Sequence, residues 1–277
     1  MNLAYLLPRL VRHFLPEKLV RALLLRSLVI SPGIETRDPS GAVQRYMDVL
    51  ASKGTSFSGK RVLVFGYGGR FDIGLGLLKV GAAHVVLCDK YAPPDETHNR
   101  QFLGTEEKYF VSEKQGLRPR PEWMTLLQAD ILDAQTQKAI GPVDIVLSSS
   151  VYEHVDGVEA ITHALASLTK PDGLQIHYVD LRDHYFKYPF EMLRFSEGTW
   201  RNWLNPSSNH NRYRLWNYRK AFEDSFEKVE IEVLAREEDA FRKLQPHVRP
   251  EFISGKIEDD SVTLIRVIAS KPKTSAH

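Results

Sequence analysis

The hydrophobic rhythm of the chain changes near residue 60. Before it, Leu3, Leu6, Leu7, Leu10 and Phe14 recur at helical spacing, and further leucines carry the pattern to Leu28. Pro8 and Pro16 interrupt this stretch, which predicts a helical pair rather than one long helix. After residue 60, short apolar runs alternate with amphipathic ones. Residues 61–65 are β-branched and end at Gly66, and residues 71–80 then read as helix. Residues 84–88 run into Asp89, residues 124–129 into Asp130, and residues 143–149 form a fourth strand. Val158, Ile161, Leu165 and Leu168 share a helical face, with Asp156 and Glu159 at capping-box spacing ahead of it. Residues 174–180 are a fifth strand, and 226–233 and 262–269 are two more.

Strands alternating with helices predict a doubly wound α/β sheet. Residues 92–121, with Pro93, Pro94, Gly104, Gly116, Pro119 and Pro121, predict a loop excursion. Residues 182–222, between the fifth and sixth strands, exceed a simple crossover and predict a cap. The plan is an N-terminal helical extension over 1–57, then a domain over 58–277 carrying the 182–222 insert.

Composition narrows the class. Hydrophobic residues make up 43% and charged residues 26%, enough apolar surface to build a core. Lys and Arg number 37 against 35 acids, a net charge of +2, which argues against a dedicated nucleic-acid binder. The one cysteine, Cys88, excludes a disulfide framework and a zinc site on cysteine pairs, and suits a reducing, cytoplasmic compartment. No run reaches the length of a membrane span. Residues 1–30 carry a charge of +4, and arginine breaks each apolar run, so a cleaved signal is not expected. That segment is expected to pack on the core; the alternative is a basic amphipathic helix on an anionic inner-membrane surface.

The candidate chemistry lies at strand ends. Gly66-Tyr67-Gly68-Gly69 follows the first strand and precedes a helix, where glycine lets backbone approach a ligand and a helix start offers N–H groups. A dinucleotide fingerprint needs a third glycine five positions after Gly66, where Phe71 stands. Asp89, 23 residues after Gly66, is placed to accept both hydroxyls of a ribose, and Asp130 to accept an adenine amine.

These features together resemble the class I S-adenosylmethionine-dependent methyltransferases. The resemblance covers residues 60–181 and rests on the 65–69 FGYGG loop, Asp89, the Ala129-Asp130 pair, the 144–155 segment and the 168–173 turn. It implies a seven-stranded, Rossmann-like sheet whose last strand is antiparallel, with S-adenosyl-L-methionine as cofactor. Phe65, Gly66, Tyr67 and Gly68 are then expected beside its methionyl part, Asp89 and Lys90 at the ribose, Asp130 and Ile131 at the adenine, and Ser148 and Ser149 near the sulfonium. Two departures stand out: Val64 replaces an acid common in the family, and Arg70 replaces a loop glycine. Residues 179–223 also resemble bacterial methyltransferases of unassigned substrate, some of them acting in glycan pathways.

Residues 182–218 of the predicted cap hold ten of the chain's 28 aromatic residues. Arg182, Arg194, Trp200 and Arg212 are its candidate substrate contacts, since aromatic faces and guanidinium forks suit sugars and anionic rings. The alternative is that the aromatics form the cap's own core. A hydroxyl acceptor would also need a base, for which His154, His184 and Asp183 are the candidates, with Glu153 competing and His210 weaker. Asp180, Asp183 and His184 do not form a metal-binding set, and no metal is expected. Small-molecule or glycan O-methylation is the leading expectation. The alternatives are an NAD-dependent or nucleotide-sugar oxidoreductase, opposed by Phe71, and a non-catalytic binding module, motivated by Val64 and Arg70.

Overall fold

All seven expected strands join one sheet. The computed structural model describes residues 3–14, 38–114, 116–184, 187–205 and 210–273. The second N-terminal helix, and Tyr185 and Phe186 of the cap, lie outside the described residues. The sheet contains β1 (Arg61–Phe65), β2 (His84–Cys88), β5 (Met124–Leu127), β6 (Val143–Ser149), β7 (Thr169–Asp180), β8 (Phe226–Arg236) and β9 (Val262–Pro272). Their order across the sheet is β5-β2-β1-β6-β7-β9-β8. The first five pair in parallel, and β9 runs antiparallel to both β7 and β8. This is the seven-stranded arrangement with an antiparallel last strand that the resemblance implies.

The strands read as continuous apolar runs because both faces are covered. Leu63, Phe65, Val86 and Val146 enter one core with α4 (Ala134–Ile140), α5 (Val158–Leu168) and α6 (Leu215–Ser225). Val62, Val64, Val85 and Leu147 enter the other with α2 (Pro39–Ser52) and α3 (Asp72–Lys79). Asp38 caps α2 by accepting from the Gly41 amide, with Pro39 at the first helical position.

Four expectations are corrected. The 1–57 extension is not one unit: α2 belongs to the sheet's helical layer, whereas α1 (Leu3–Phe14) packs on the cap. The 92–121 stretch is not all loop, because β3 (Phe110–Glu113) and β4 (Gly116–Pro119) form an antiparallel hairpin there. Within the 182–222 insert, α6 packs on the main core as the crossover, so Tyr218 and Phe222 are core residues of the sheet. Asp156 does not cap α5, whose N-cap is Gly157 in the left-handed conformation.

A satellite core holds Phe190 and Trp200 of the cap, with Tyr188 and Phe195 packed against it. Tyr5 and Leu6 of α1, Phe190, Met192, Leu193, Trp200 and Leu204 of the cap, and Phe241 and Val248 bury together. Phe241 lies on α7 (Glu238–Leu244), so the segment between β8 and β9 is a third contributor that the sequence pattern did not reveal. Each contributing segment has too little apolar surface to fold by itself, and their union provides it.

Candidate active site

The glycine loop, Asp89 and Asp130 follow β1, β2 and β5, three neighbours in the sheet, so they share its carboxyl edge. Gly66, Gly68 and Gly69 all have positive φ, of 79°, 70° and 84°. A Cβ on Gly66 would lie 2.3 Å from Cγ2 of Val151, and one on Gly69 would lie 2.4 Å from the Pro93 carbonyl oxygen. Glycine is therefore required twice over, by conformation and by space. The loop is tied down on both sides. Gly66 N donates to the Cys88 carbonyl at 2.8 Å and Gly68 N to Oδ2 of Asp89 at 3.1 Å.

Asp89 Oδ1 accepts from the amides of Tyr91 and Ala92, both at 2.8 Å. Three of the roughly four acceptor positions of its carboxylate are thus used within the chain. One on Oδ2 remains for a ligand hydroxyl. Asp130 accepts from the Leu132 amide at 3.0 Å and pairs with Lys90 at 2.8 Å. Those two bonds hold its carboxyl below the usual range, the lysine contact being the larger. Ile131 is 2% exposed in the sheet core, and its carbonyl accepts from Gln137 Nε2 at 3.0 Å. Tyr67 stacks on Phe71, and its buried hydroxyl has no hydrogen-bond partner among the described residues. Val64 is 1% exposed and packs in the core. Arg70 pairs with Asp95 at 3.5 Å.

Two residues that sequence reasoning missed lock this loop. Asn99 is fully buried, accepts from the Phe71 amide at 3.1 Å and donates to the Gly69 carbonyl at 2.9 Å. Asp95 donates its amide to the same carbonyl at 2.8 Å. The signal available was Asp95 at N-cap spacing from His98, hidden inside a stretch rich in proline and glycine.

The turn after β6 faces the glycine loop through Val151. Ser150 there is left-handed at φ 54°, a conformation that costs a serine about 1 kcal/mol. The expected place of Ser148 is corrected: it is buried at 1% exposure and its hydroxyl bonds Nδ1 of His177 at 2.7 Å, on the core side of the strand. Ser149 is half-buried at the strand end. Tyr152, Glu153 and His154 form a 3₁₀ turn, and the cap docks on it: Asn211 donates its side-chain amide to the carbonyls of Tyr152 and Val155 at 2.7 and 3.0 Å.

The base candidates separate sharply. Asp183 is fully buried and bound to the Tyr5 hydroxyl and the Arg9 guanidinium, which makes it an anchor for α1 and corrects its reading as a catalytic group. His154, His184 and His210 converge, with ring centroids 4.6, 4.7 and 5.6 Å apart pairwise. Burial first, then the neighbouring His210 and His154, push His184 down to about 2, and burial pushes His210 down to about 3. Both rings are neutral near pH 7. Burial raises the Glu153 carboxyl well above its ordinary value.

The substrate candidates are largely spent inside the protein. Trp200 is 2% exposed and donates to the His210 carbonyl, and Arg212 is 5% exposed and bound to the Met192 and Phe195 carbonyls and to Glu197. Both belong to the cap's own framework, which corrects their reading as ligand contacts. Arg182 pairs with Asp180 and Arg194 with Glu191, and both keep part of their side chains in solvent.

No family model and no curated protein matches the chain. Similar solved structures include an S-adenosylmethionine-dependent methyltransferase from Mesorhizobium loti, 15% identical at a TM-score of 0.45, covering 82% of this chain and 96% of that one. Geranyl diphosphate C-methyltransferase from Streptomyces coelicolor A3(2), solved with Mg2+, geranyl diphosphate and S-adenosyl-L-homocysteine, is 12% identical at 0.49, covering 85% and 81%. An O-methyltransferase family protein from Burkholderia thailandensis is 14% identical at 0.47, covering 86% and 58%.

Proposed function

We propose that the chain is an S-adenosylmethionine-dependent methyltransferase, transferring to an oxygen of a small molecule or glycan intermediate. One observation carries this reading. The glycine loop, Asp89 and Asp130 stand side by side on the carboxyl edge of β1, β2 and β5, where open α/β sheets bind ligands. The antiparallel β9 separates this sheet from the all-parallel order of dinucleotide dehydrogenases and weighs against the oxidoreductase alternative.

The residues present fit the cofactor. The cradle at Gly66 is one that a Cβ would fill, and the unpartnered Tyr67 hydroxyl offers a donor to a carboxylate. Asp89 keeps an acceptor position for the ribose. Lys90 and Asp130 form a half-exposed pair of the kind worth about 0.2–1 kcal/mol, so Lys90 yields the Asp130 carboxylate to an adenine amine at small cost. When bound, the cofactor supplies an electrophilic methyl group on sulfur. The protein's part is alignment, which lowers such barriers by roughly 7–11 kcal/mol. An acceptor hydroxyl against the turn after β6 meets His154, the candidate base, with Arg182 and Arg194 the two cap substrate candidates that keep part of their side chains in solvent.

The test is calorimetric titration of the full chain with S-adenosylmethionine, S-adenosylhomocysteine and NAD. Micromolar binding of the first two, weakened at least about tenfold by Asp89→Ala, is expected. Binding of NAD alone, or of none of the three, overturns the reading. The same reading places the protein in the cytoplasm with α1 resting on the anionic inner surface of the membrane. What supports it is the +4 charge of residues 1–30 and the exposed apolar face of α1.

A further inference from the structure

Three segments far apart in sequence bring four potential metal ligands to one place. Glu153 and His154 come from the turn after β6, His184 from the loop after β7, and His210 from the cap. A carboxylate oxygen of Glu153 and one ring nitrogen each of His154 and His184 lie within 4.8 Å of one another. The His210 ring is 4.7 Å from that of His184 and 5.6 Å from that of His154, centroid to centroid.

The hydrogen bonding of the cluster is incomplete in a specific way. Glu153 is 1% exposed, and among the described residues neither of its carboxylate oxygens has a hydrogen bond of ordinary geometry, the backbone of Glu153 and Asp180 being the polar groups beside it. His210 is 4% exposed, and its Nε2 has no hydrogen bond of ordinary geometry among the described residues, with the Arg182 backbone close to the ring. A buried carboxyl group with nothing to bond costs the fold several kcal/mol unless something occupies the space beside it. His210 Nδ1 lies 2.5 Å from the Asn211 carbonyl oxygen, so Nδ1 carries the proton and Nε2 presents its lone pair. A backbone carbonyl fixing the far nitrogen is the arrangement that orients a metal-ligating histidine.

We propose that Glu153, His154, His184 and His210 bind one divalent first-row transition ion. Imidazole nitrogens with one carboxylate and no thiolate form a borderline donor set, suited to zinc(II) or iron(II) and poorly suited to calcium or magnesium. One carboxylate among neutral imidazoles leaves the occupied site with a single positive charge. The neighbouring Asp180 carboxylate, 7% exposed and shared with Arg182, faces Glu153. Nitrogen and oxygen ligands at about 2.0–2.1 Å from a tetrahedral ion stand about 3.3 Å apart. The three ligand atoms of Glu153, His154 and His184, within 4.8 Å of one another, lie a little wider than that spacing, on the turn after β6 and the loop after β7.

The proposed site does not use the set Asp180, Asp183 and His184. Asp183 belongs to Arg9 and Tyr5, and Asp180 to Arg182. The partners of His184 are instead a glutamate 31 positions before it and a histidine 26 positions after it, a separation that sequence spacing does not expose. The site goes beyond the methyl-transfer reading and does not rest on it. An occupied site would make His154 a ligand, and its part as a base would end.

The experiment uses the untagged full chain, stripped with chelator and dialysed against zinc(II) or cobalt(II), followed by elemental analysis and visible absorption of the cobalt form. One equivalent of metal per chain, and a cobalt spectrum of four- or five-coordinate nitrogen–oxygen type, are expected. Glu153→Gln, His154→Gln and His210→Gln should each weaken zinc binding about 100-fold, while exposed His163→Gln leaves it unchanged. Far-UV circular dichroism of each variant selects those that fold, and the glutamine variants keep side-chain volume so that folding is retained. Absence of binding at micromolar zinc overturns the proposal, as does binding that the cluster variants leave intact. Because the readout is metal content without cofactor, failure of this site and failure of the methyltransferase reading are distinguishable.

Discussion

The guanidinium of Arg9, on the first helix, forms a buried ion pair with Asp183, 174 residues further along the chain. Tyr5, one turn earlier, donates to the other oxygen of the same carboxylate, and Arg9 stacks 4.7 Å from the Trp200 ring. The pair therefore fastens α1 to the loop after β7 and to the cap at once. Removing one partner leaves an uncompensated buried charge, which costs about 3–5 kcal/mol. Asp183→Ala is expected to lower the urea midpoint accordingly while cofactor affinity stays within about twofold. Unchanged stability with lost turnover would instead return Asp183 to the list of catalytic groups.

Gly66 and Val151 meet where the glycine loop touches the turn after β6. Gly66→Ala forces a Cβ to 2.3 Å from a Val151 methyl at a φ of 79°. The backbone conformation costs about 1–2 kcal/mol and the overlap about 1–3 kcal/mol more. Thermal unfolding and calorimetry should show a destabilised protein with at least tenfold weaker cofactor binding. Val151→Ala in the same chain relieves the overlap and not the φ, so rescue should be partial. Full rescue would show that the conformation carries no cost.

Asn99 is the residue whose loss should loosen the glycine loop most. Asn99→Ala leaves the Phe71 amide and the Gly69 carbonyl without their bonds, at about 1–3 kcal/mol for each group that stays dry. Amide exchange across residues 66–71 should accelerate, and cofactor affinity should fall even though Asn99 is placed behind the loop. Unaltered exchange there would mean that Gly66 and Asp89 hold the loop by themselves.

The sheet, and the row of residues along its carboxyl edge, were legible because they rest on local signals. Apolar runs such as 84–88, buried on both faces, mark the strands, and Gly66, Asp89 and Asp130 each end one. The histidine cluster and the satellite core were not legible, because both arise where segments distant in sequence fold together. Trp200 and Arg212 have the residue types of a binding surface, but their bonds to His210, Met192 and Phe195 carbonyls make them framework. Type and spacing do not distinguish a guanidinium aimed at a ligand from one aimed at the backbone.

His177 gives the fold a defined acid sensitivity. It is fully buried, with Nε2 donating to Gln175 Oε1 at 2.9 Å and Nδ1 accepting from the Ser148 hydroxyl, while Tyr152 and Phe222 pack around the ring. Burial pushes it down to about 3 from an ordinary value near 6.5. Between those values the unfolded chain binds a proton that the folded one excludes, so stability falls as pH is lowered through that window, by up to about 1.4 kcal/mol per pH unit. His177→Gln should be less stable at pH 8 and show a shallower loss between pH 6 and 4, measured by urea unfolding. Parallel curves for the two proteins would reject this role.

The two faces of α1 meet different surroundings. Tyr5, Leu6 and Arg9 turn inward, whereas Leu3, Leu7, Val11 and Phe14 are 69, 65, 54 and 74% exposed and follow one another along the outer face. An apolar stripe of this kind beside a basic segment suits the interface of an anionic bilayer. Fully burying one such side chain is worth about 1.5–3 kcal/mol, so two of them decide whether the helix stays on a membrane. The full chain should co-sediment with vesicles containing phosphatidylserine and less with phosphatidylcholine alone. Leu7→Glu combined with Val11→Glu should abolish sedimentation without shifting the melting temperature, since neither side chain enters the satellite core. Equal sedimentation of the double variant would show that α1 does not make the contact.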